Sequence, residues 1–318
     1  MGEKLMRSLN VKSVTDTKPW VLLVDDEAFN LEILEELLTD YGYQTDCAEN
    51  GREACELLLA NPDKYSVVLL DRMMPEMGGM EVTEFMKLDP QLRKIPIVMQ
   101  SAKAAKQDIE EGLNAGILYY LTKPFGKNEL LSIVDTATRY FAEYQDLLVQ
   151  LSQDQSVSEW PGAIELRTID EARSCAISLA KLAQDPERIV IGLYELIVNG
   201  VEHGNLGIDY QQKSGMQDPG VWFTEIEKRM ALPENKNKKV TIECTNEQGE
   251  LVIKITDQGS GFDYREFLEM TTFRSLKTTG RGIAIAKVLC FDHLDYVAPG
   301  NQVIVRTKSK TNSDEGKN

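Results

Sequence analysis

The sequence predicts an α/β protein: a doubly wound, parallel five-stranded domain, then a long linker helix, then an α+β sandwich. In the first half, continuous apolar strands alternate with helical segments, which is typical of a parallel sheet covered on both faces. In the second half, strands and helices occupy separate stretches, which favours an α+β arrangement. The 318 residues exceed the ~250 at which single cores stop growing, so domains are expected at 18–140 and 161–310, joined by a helical linker at 141–160.

Four apolar segments in the first half predict buried strands, and each ends beside a residue capable of chemistry. After the first of them, residues 28–41 have helical periodicity, and Gly42 stops that helix. In parallel sheets of this kind, ligands bind outside the carboxyl ends of the strands. We therefore expect a site where these segments end. The segments are 20–24, 65–70, 96–99 and 118–121.

A helix that begins near Lys127 continues about three turns beyond the length that closes the first domain. Its apolar residues recur with helical spacing from Leu130 to Leu151. Two interpretations stay open: the stripe packs on the two domains, or it forms a coiled linker through which two copies of the chain make a homodimer. The polar residues 150–158 predict a loop, where we place the domain boundary.

The second half predicts short strands, two long helices and a polar insert at 205–238. Two period-2 strands flank the turn at 247–249, and a further helix follows Gly282. The tail from Thr311 has the composition of a disordered segment. Strands are expected at 164–167, 239–246, 250–257 and 301–308, and helices at about 170–183 and 186–204.

The composition restricts partners and location. Lysine and arginine number 35 against 51 aspartates and glutamates, so the formal net charge is −16. Nucleic acids and anionic membranes bind positive surfaces, so neither is expected as a partner. No stretch reaches the ~18–20 apolar residues of a membrane span, and the N-terminus lacks the apolar run of a signal peptide. Five cysteines without a Cys-x-x-Cys pair are expected to be small buried residues in a reducing cytoplasm.

Carboxylates, a hydroxyl and a cation stand at the predicted strand ends of the first half. Asp25 and Asp26 follow the first strand, Asp71 the second, Ser101 the third and Lys123 the fourth. Mg²⁺ prefers hard oxygen ligands, and a carboxylate can be a nucleophile that forms an aspartyl phosphate. Lys123 offers a cation to phosphoryl oxygens, and Ser101 offers a hydroxyl donor. The set therefore predicts Mg²⁺-dependent phosphoryl chemistry.

These residues and their neighbours resemble the receiver domain of bacterial two-component response regulators, over about residues 18–140. The resemblance implies that Asp71 accepts a phosphoryl group, as 4-aspartylphosphate, from an upstream histidine kinase or phosphotransfer protein. It implies catalytic roles for Ser101 and Lys123, and a Tyr120 ring that rotates with the phosphoryl group. The implied Mg²⁺ ligands are Asp25, Asp26, Asp71 and the Met73 backbone carbonyl. The matching motifs are Val24-Asp25-Asp26-Glu27, Leu70-Asp71-Arg72-Met73-Met74-Pro75, Gln100-Ser101-Ala102 and Leu121-Thr122-Lys123-Pro124-Phe125.

A second set of residues suits a bound nucleotide. Glu195, Asn199 and His203 are spaced by four, so they share one face of a helix. An Asn oxygen suits Mg²⁺ that also holds phosphates, and a Glu one turn away can take a proton from an attacking hydroxyl. Asp257 ends a strand before glycines that let the backbone pass close to a ligand. The glycines are Gly259 and Gly261, and a Gly280-Arg281-Gly282 segment then precedes a helix whose N-terminus can meet phosphate.

In this order and spacing, the residues resemble the ATPase fold shared by gyrase, Hsp90, histidine kinases and MutL, over roughly 162–308. The resemblance implies that Asp257 reads the adenine amino group of ATP and that Asn199 binds Mg²⁺. The other nucleotide-binding positions it implies are His203, Gly259, Gly261, Thr279, Gly280, Arg281 and Gly282.

The histidines narrow the branch of this fold. The chain has only two, His203 and His293, and neither is placed on a dimerising helix pair, so histidine autophosphorylation is not expected. Residues 195–204 and 280–283 look most like the anti-sigma-factor serine-kinase branch, in which Glu195 would be the base toward a serine hydroxyl. The expected output is an ATP-dependent protein serine/threonine kinase or anti-sigma switch, acting on an anti-sigma-factor antagonist or a sigma factor. The alternative is a module that binds ATP, transfers nothing and sequesters a regulatory protein.

Overall fold

The computed structural model describes residues 19–102, 111–112, 115–117, 119–153, 160, 162–209, 212, 219–265 and 282–310. The chain forms two compact units, residues 1–142 and 143–318, and each contains one five-stranded sheet. The structure confirms the predicted class: a parallel sheet with helices in the first unit, and an antiparallel sheet with helices in the second.

The strands of the first unit are β1 (Trp20–Val24), β2 (Gln44–Ala48), β3 (Tyr65–Asp71), β4 (Ile97–Ser101) and β5 (Tyr119–Thr122). Its helices are α1 (Ala28–Thr39), α2 (Gly51–Ala60), α3 (Gly79–Leu88) and the first part of α4 (Lys127–Gln153). The strands are parallel, in the order β2-β1-β3-β4-β5. β2 escaped segment-by-segment prediction because it is an edge strand with polar, half-buried residues and no apolar run.

α4 contributes to both units. Residues 127–142 belong to the first unit and 143–153 to the second. Leu130 is fully buried in the first unit, and Leu147 is fully buried in the second. The helix ends at Gln153, later than the predicted loop begins, and residues 154–159 lie outside the described part of the chain. Packing inside the chain accounts for these buried residues of the stripe, and the homodimer and the predicted domain limits stay predictions.

The second unit contains β6 (Ala163–Leu166), β7 (Val240–Glu247), β8 (Glu250–Thr256), β9 (His293–Val297) and β10 (Gln302–Lys308). Its helices are α5 (Ile169–Ala180), α6 (Pro186–Asn199), α7 (Pro219–Met230) and α8 (Gly282–Ile285). The strands are antiparallel in the order β6-β7-β8-β10-β9. Burial alternates along β8 and β10, which is typical of a sheet with one face on the core.

Three features of this unit differ from the sequence prediction. The insert at 205–238 contains α7, whose single deeply buried residue, Ile226, gives a weak apolar periodicity. The strand β9 was not predicted, since only one of its residues is buried. The predicted helix to residue 204 is α-helical only to Asn199 and continues as a π-helix over Gly200–Asn205.

Among the described residues, no helix is both long and apolar enough to cross a membrane. Three of the five free cysteines are buried as predicted, whereas Cys47 and Cys244 are half-buried.

Candidate functional site

The first candidate site lies at the carboxyl edge of the parallel sheet. The register pairs Asp71 of β3 with Gln100 of β4, and Ser101 of β4 with Thr122 of β5. The Lys123 backbone N–H donates to the Ser101 carbonyl at 2.8 Å. Strand pairing therefore places the residue after β5 beside the ends of β4 and β3, as the doubly wound topology requires.

Lys123 joins the two buried carboxylates of this edge. Its Nζ donates to Asp25 Oδ2 and to Asp71 Oδ1, each at 2.6 Å. The Asp25 side chain is 1% exposed and the Asp71 side chain 12%. Burial alone would lower the pKa of Lys123, but the hydrogen bonds and charges of both carboxylates outweigh it and raise that pKa. The ammonium group is therefore fixed in its charged form.

The remaining oxygens of the two carboxylates are held by nearby donors. Asp25 Oδ1 accepts from the Glu27 N–H at 3.0 Å and from Asn30 Nδ2 at 2.9 Å. Asp71 Oδ2 accepts from the Met73 N–H at 2.7 Å. Among these donors only Lys123 is positively charged. The others are two backbone N–H groups and the Asn30 amide, and together they orient both carboxylates. The contact found at Met73 is its N–H, and the predicted carbonyl ligand stays a prediction.

The predicted Mg²⁺ ligand set is assembled only in part. Asp25 and Asp71 meet at Lys123, whereas Asp26 is exposed. Within the described residues, no group of three or more His, Cys, Asp or Glu side chains could hold a metal ion. The chemistry of the donors still fits Mg²⁺, since three carboxylates against one ammonium leave a charge of −2 and offer hard oxygens. Asp25, Asp26 and Asp71 stay the predicted ligands of this ion, because their side chains are not grouped as a metal site in the described part of the structure.

Ser101 and Tyr120, the other predicted receiver residues, are both buried. The Tyr120 hydroxyl lies where Gly112 leaves room for it, because a Cβ on Gly112 would be 1.5 Å from Tyr120 Oη. A larger residue at this position would displace the ring. The sequence offered no signal for this role of Gly112, since it depends on which way the Tyr120 ring turns.

The second candidate site is a cavity of about 240 Å³ in the second unit. Asn199 of α6, His203 of the following π-helix, Asp257 and Gly261 all line it. The structure thus brings together four of the predicted nucleotide-binding residues. Thr279, Gly280 and Arg281 lie outside the described residues.

Glycines at the cavity wall allow backbone segments to approach more closely than any side chain would permit. A Cβ on Gly204 would lie 2.2 Å from Asp257 Cγ, and one on Gly259 would lie 2.2 Å from the Gly204 carbonyl oxygen. Gly261 has φ +79°, and a Cβ on it would lie 2.3 Å from the Pro299 carbonyl oxygen. Gly259 and Gly261 are therefore needed on steric grounds. Gly204 was overlooked as a site residue, although it directly follows His203 in the sequence.

Asp257 sits in the cavity with a raised pKa. Burial disfavours its charged form, while the Gly259 N–H bond to Oδ1 at 2.8 Å and the charge of Lys238 favour it. Burial prevails and raises the pKa of Asp257 to about 6. With this pKa the carboxyl is mostly ionised at neutral pH and can accept hydrogen bonds inside the cavity.

His203 reaches the cavity although the helix changes type before it. The π-helix that starts at Gly200 changes the local hydrogen-bond pattern, yet His203 lines the same cavity as Asn199, four residues earlier. The ring is held by contact of Nδ1 with the Ile208 carbonyl, and its Nε2 lies 4.0 Å from the fully buried Glu202 carboxylate. This environment fixes the orientation of the imidazole at the cavity wall.

Glu195 is not among the residues that line the cavity. Its carboxylate lies instead against Gly282, the first residue of α8. A Cβ on Gly282 would be only 2.1 Å from Glu195 Oε2. The expected common face of Glu195, Asn199 and His203 stays a prediction, with the Glu195 carboxylate at Gly282 and outside the cavity lining. Its position at the start of α8 puts it beside the helix N-terminus that the sequence assigned to phosphate.

Three aromatic rings beside the cavity were missed. Phe262 and Tyr296 line it, with ring centroids 5.3 Å apart and an edge-to-face angle of 82°. Tyr264 stacks on Tyr296 at 5.4 Å. Such a wall suits a planar ligand base. The aromatic residue directly after Gly261 was the available signal, whereas Tyr296 lies on the unpredicted β9.

Comparisons with known proteins assign both units. The family model of the response regulator receiver domain matches residues 21–135, and that of the histidine kinase-like ATPase domain matches residues 228–307. The chain is 36% identical over 104 residues to the polar-differentiation response regulator DivK of Brucella anthropi, covering 33% of this chain and 83% of that protein. It is 35% identical over 114 residues to the probable transcriptional regulator ycf29 of Porphyra purpurea, covering 36% and 54%. The solved structure of chemotaxis protein CheY4 of Vibrio cholerae matches 38% of this chain and 99% of its own, at 28% identity and TM-score 0.36.

The chain therefore belongs to the response regulator family through its receiver domain. Behind that domain it carries a histidine kinase-like ATPase domain. The chain spans about half the length of the first curated relatives it matches, at 54% and 51%. The ATPase match begins at residue 228, so Asn199 lies outside it, but the cavity joins Asn199 to Asp257 inside it.

Proposed function

We propose that this response regulator controls an ATP-dependent protein serine/threonine kinase of the anti-sigma type, housed in its second unit. The observation that carries the proposal is the pair Glu195 and Asn199, one helical turn apart on α6. Asn199 lines the nucleotide cavity, while the Glu195 carboxylate lies at Gly282, the first residue of α8. A base next to the phosphate end of a nucleotide pocket is what transfer to a hydroxyl requires.

The residues divide the reaction between them. Asp257 and the aromatic wall of Phe262 and Tyr296 would hold the adenine, and Asn199 would hold Mg²⁺ with the ATP phosphates. In the transfer, the substrate serine oxygen bonds to the γ-phosphorus, and the bond from that phosphorus to the β,γ-bridging oxygen breaks. ADP leaves with that electron pair, and the hydroxyl proton passes to Glu195.

The histidines do not suit the sensor-kinase reaction. His203 is held at the cavity wall by the Ile208 carbonyl, and His293 starts the short strand β9. Neither stands on a pair of dimerising helices. We therefore propose a protein hydroxyl as acceptor, on an anti-sigma-factor antagonist, or else direct capture of a sigma factor, in the cytoplasm.

The input is proposed to be phosphorylation of Asp71 by a histidine kinase or phosphotransfer protein. The second part of α4 gives it a route within the ATPase unit, because Arg173 of α5 pairs with Asp146 of α4 at 2.5 Å. The same guanidinium lies 5.0 Å from the ring centre of Tyr194, the residue before Glu195. A change in the position of α4 would therefore reach α6 through the half-buried Arg173.

A second candidate function is an ATP-gated binding module that transfers nothing. The exclusion of Glu195 from the cavity lining favours it, because a binder needs no carboxylate at the phosphate end. In this case the nucleotide state alone would determine whether the partner protein is held.

Transfer of label from γ-labelled ATP to a panel of purified anti-sigma-factor antagonists separates the two functions. Glu195→Gln should keep the Mg-ATP affinity but slow transfer by about 100-fold or more, as expected for a lost general base. Glu187→Gln, on the same helix but two turns away, is the matched control and should transfer normally. Transfer by Glu195→Gln at the wild-type rate contradicts the kinase assignment, and tight ATP binding with no transfer to any protein supports the binding module.

A further inference from the structure

The carbonyl groups that follow the Asn199-bearing helix are held by cations from the insert. Helices leave their last carbonyls without intrahelical partners, and the helix dipole makes this end negative. Here Lys238 Nζ donates to the Asn205 carbonyl at 2.9 Å. Arg229 Nη1 donates to the Leu206 carbonyl at 3.1 Å and to the Gly207 carbonyl at 2.6 Å. Three successive carbonyls are thereby capped from outside the helix.

Arg229 is itself fixed on α7. Its Nε donates to Glu225 Oε1 at 2.8 Å, one turn back on the same helix, and Nη2 donates to Gln212 Oε1 at 2.9 Å. The Arg229 side chain is 17% exposed. Asn235, which is buried, donates from Nδ2 to the Arg229 carbonyl at 3.1 Å. The guanidinium thus presents its fork from a rigid support, which is the use that favours arginine over lysine.

The carbonyls that Arg229 holds belong to the wall of the nucleotide cavity. We call residues 206–209 the rim segment; Gly207, Ile208 and Asp209 of this segment line the cavity. The Ile208 carbonyl contacts His203 Nδ1, so the rim segment also seats the histidine. Displacement of this segment would change the shape of the cavity and the environment of the ring together.

We propose that Arg229 is a positioning residue for nucleotide binding, and that the insert acts as a buttress of the ATP cavity. This inference rests on the proposed ATP site and adds a residue that touches no ligand. Arg229 acts through the rim segment, since its contacts are to the Leu206 and Gly207 carbonyls and to Glu225 and Gln212. Lys238 is a poorer probe of the same cap, because its charge also acts on Asp257.

The test compares Arg229→Gln with Lys228→Gln in the full chain. Lys228 neighbours Arg229 on α7, has the same charge and also pairs with Glu225, at 3.5 Å, but its side chain is 73% exposed. Calorimetric titration with Mg-ATP should give a dissociation constant about 10-fold higher for Arg229→Gln, the loss expected for charge-assisted hydrogen bonds to a wall. Lys228→Gln should bind within about 2-fold of the wild type. Arg229→Lys, with its charge but no fork, should fall between them.

The imidazole proton resonances distinguish a local change at the rim segment from a general loss of structure. The chain has only two histidines, so the imidazole proton resonances of His203 and His293 can be told apart with one His293→Gln variant. Arg229→Gln should shift the His203 resonances and leave those of His293 in place. If Arg229→Gln does not fold, Arg229→Lys carries the same two measurements.

The possible outcomes distinguish the role of Arg229 from the proposed ATP site itself. Wild-type-like Mg-ATP affinity with unshifted His203 resonances in the arginine variants overturns the buttress. Equal losses in Arg229→Gln and Lys228→Gln also overturn it, since they indicate a charge effect of the helix surface. Absence of Mg-ATP binding by the wild-type chain defeats the proposed function instead.

Discussion

Protonation of Asp257 should control nucleotide affinity at mildly acidic pH. Burial raises the pKa of this carboxyl to about 6, against the N–H of Gly259 and the charge of Lys238. The ionised carboxylate accepts a charge-assisted hydrogen bond from the adenine amino group, whereas the protonated carboxyl keeps only a neutral carbonyl acceptor. Lowering the pH through 6 therefore weakens this hydrogen bond, and the affinity for ATP should fall as the pH falls.

The size of the effect follows from the pKa. At about pH 7.5 a carboxyl of pKa ~6 is about 97% ionised, and at about pH 5 it is about 9% ionised. If the protonated form does not bind, the dissociation constant rises roughly 10-fold over that range, which equals about 1.4 kcal/mol.

The assay is calorimetric titration of Mg-ATP at both pH values, in the wild type and in Asp257→Asn. ATP itself also titrates in this range. The nucleotide is the same in both titrations, so the ratio of the two proteins' dissociation constants isolates Asp257. The wild-type constant should rise about 10-fold more than that of Asp257→Asn between the two pH values. A ratio that does not change with pH would refute the role of the Asp257 carboxylate in binding.

The remaining predictions concern the receiver and the helix α4. Asp71→Asn should abolish hydroxylamine-labile phosphate labelling by a small phosphodonor, whereas the exposed Asp63→Asn should label normally; continued labelling of the first excludes Asp71 as acceptor. Leu147→Ala should lower the free energy of unfolding of the ATPase unit in urea by about 2–5 kcal/mol, because Leu147 is fully buried. Val149 is 51% exposed, so Val149→Ala should lower it by less than ~0.5 kcal/mol, and equal effects would contradict the packing of α4. Arg173→Gln should keep the Mg-ATP affinity of the wild type in calorimetry, but beryllofluoride should no longer change that affinity. A change that persists in this variant would rule out Arg173 as the route from α4 to α6.

The parallel sheet was predictable because its central strands leave an unambiguous pattern. β1 and β3 are buried along almost their whole length, so they read as continuous apolar runs. β2 and β9 are edge strands with few buried residues, so their composition does not distinguish them from loops. The helix α7 has the same difficulty, with Ile226 as its deeply buried residue.

The candidate sites were predictable where the chemistry resides in residue type and spacing. Asp25, Asp71 and Lys123 could be inferred because strand ends of a parallel sheet converge. The position of Glu195 at Gly282 could not, because it depends on how α6 and α8 pack. Arg229 was equally hidden, since its carbonyl partners are about 22 residues earlier in the chain and only tertiary structure joins them.

We propose that the state of Asp71 controls a nucleotide-dependent output. The dissociation constant of Mg-ATP, measured with and without beryllofluoride in the wild type and in Asp71→Asn, tests this control. Coupling between the two units predicts a change of about 5-fold or more in the wild type, in the range usual for linked sites, and no change in Asp71→Asn. An unchanged constant in the wild type, or the same change in Asp71→Asn, would contradict the account.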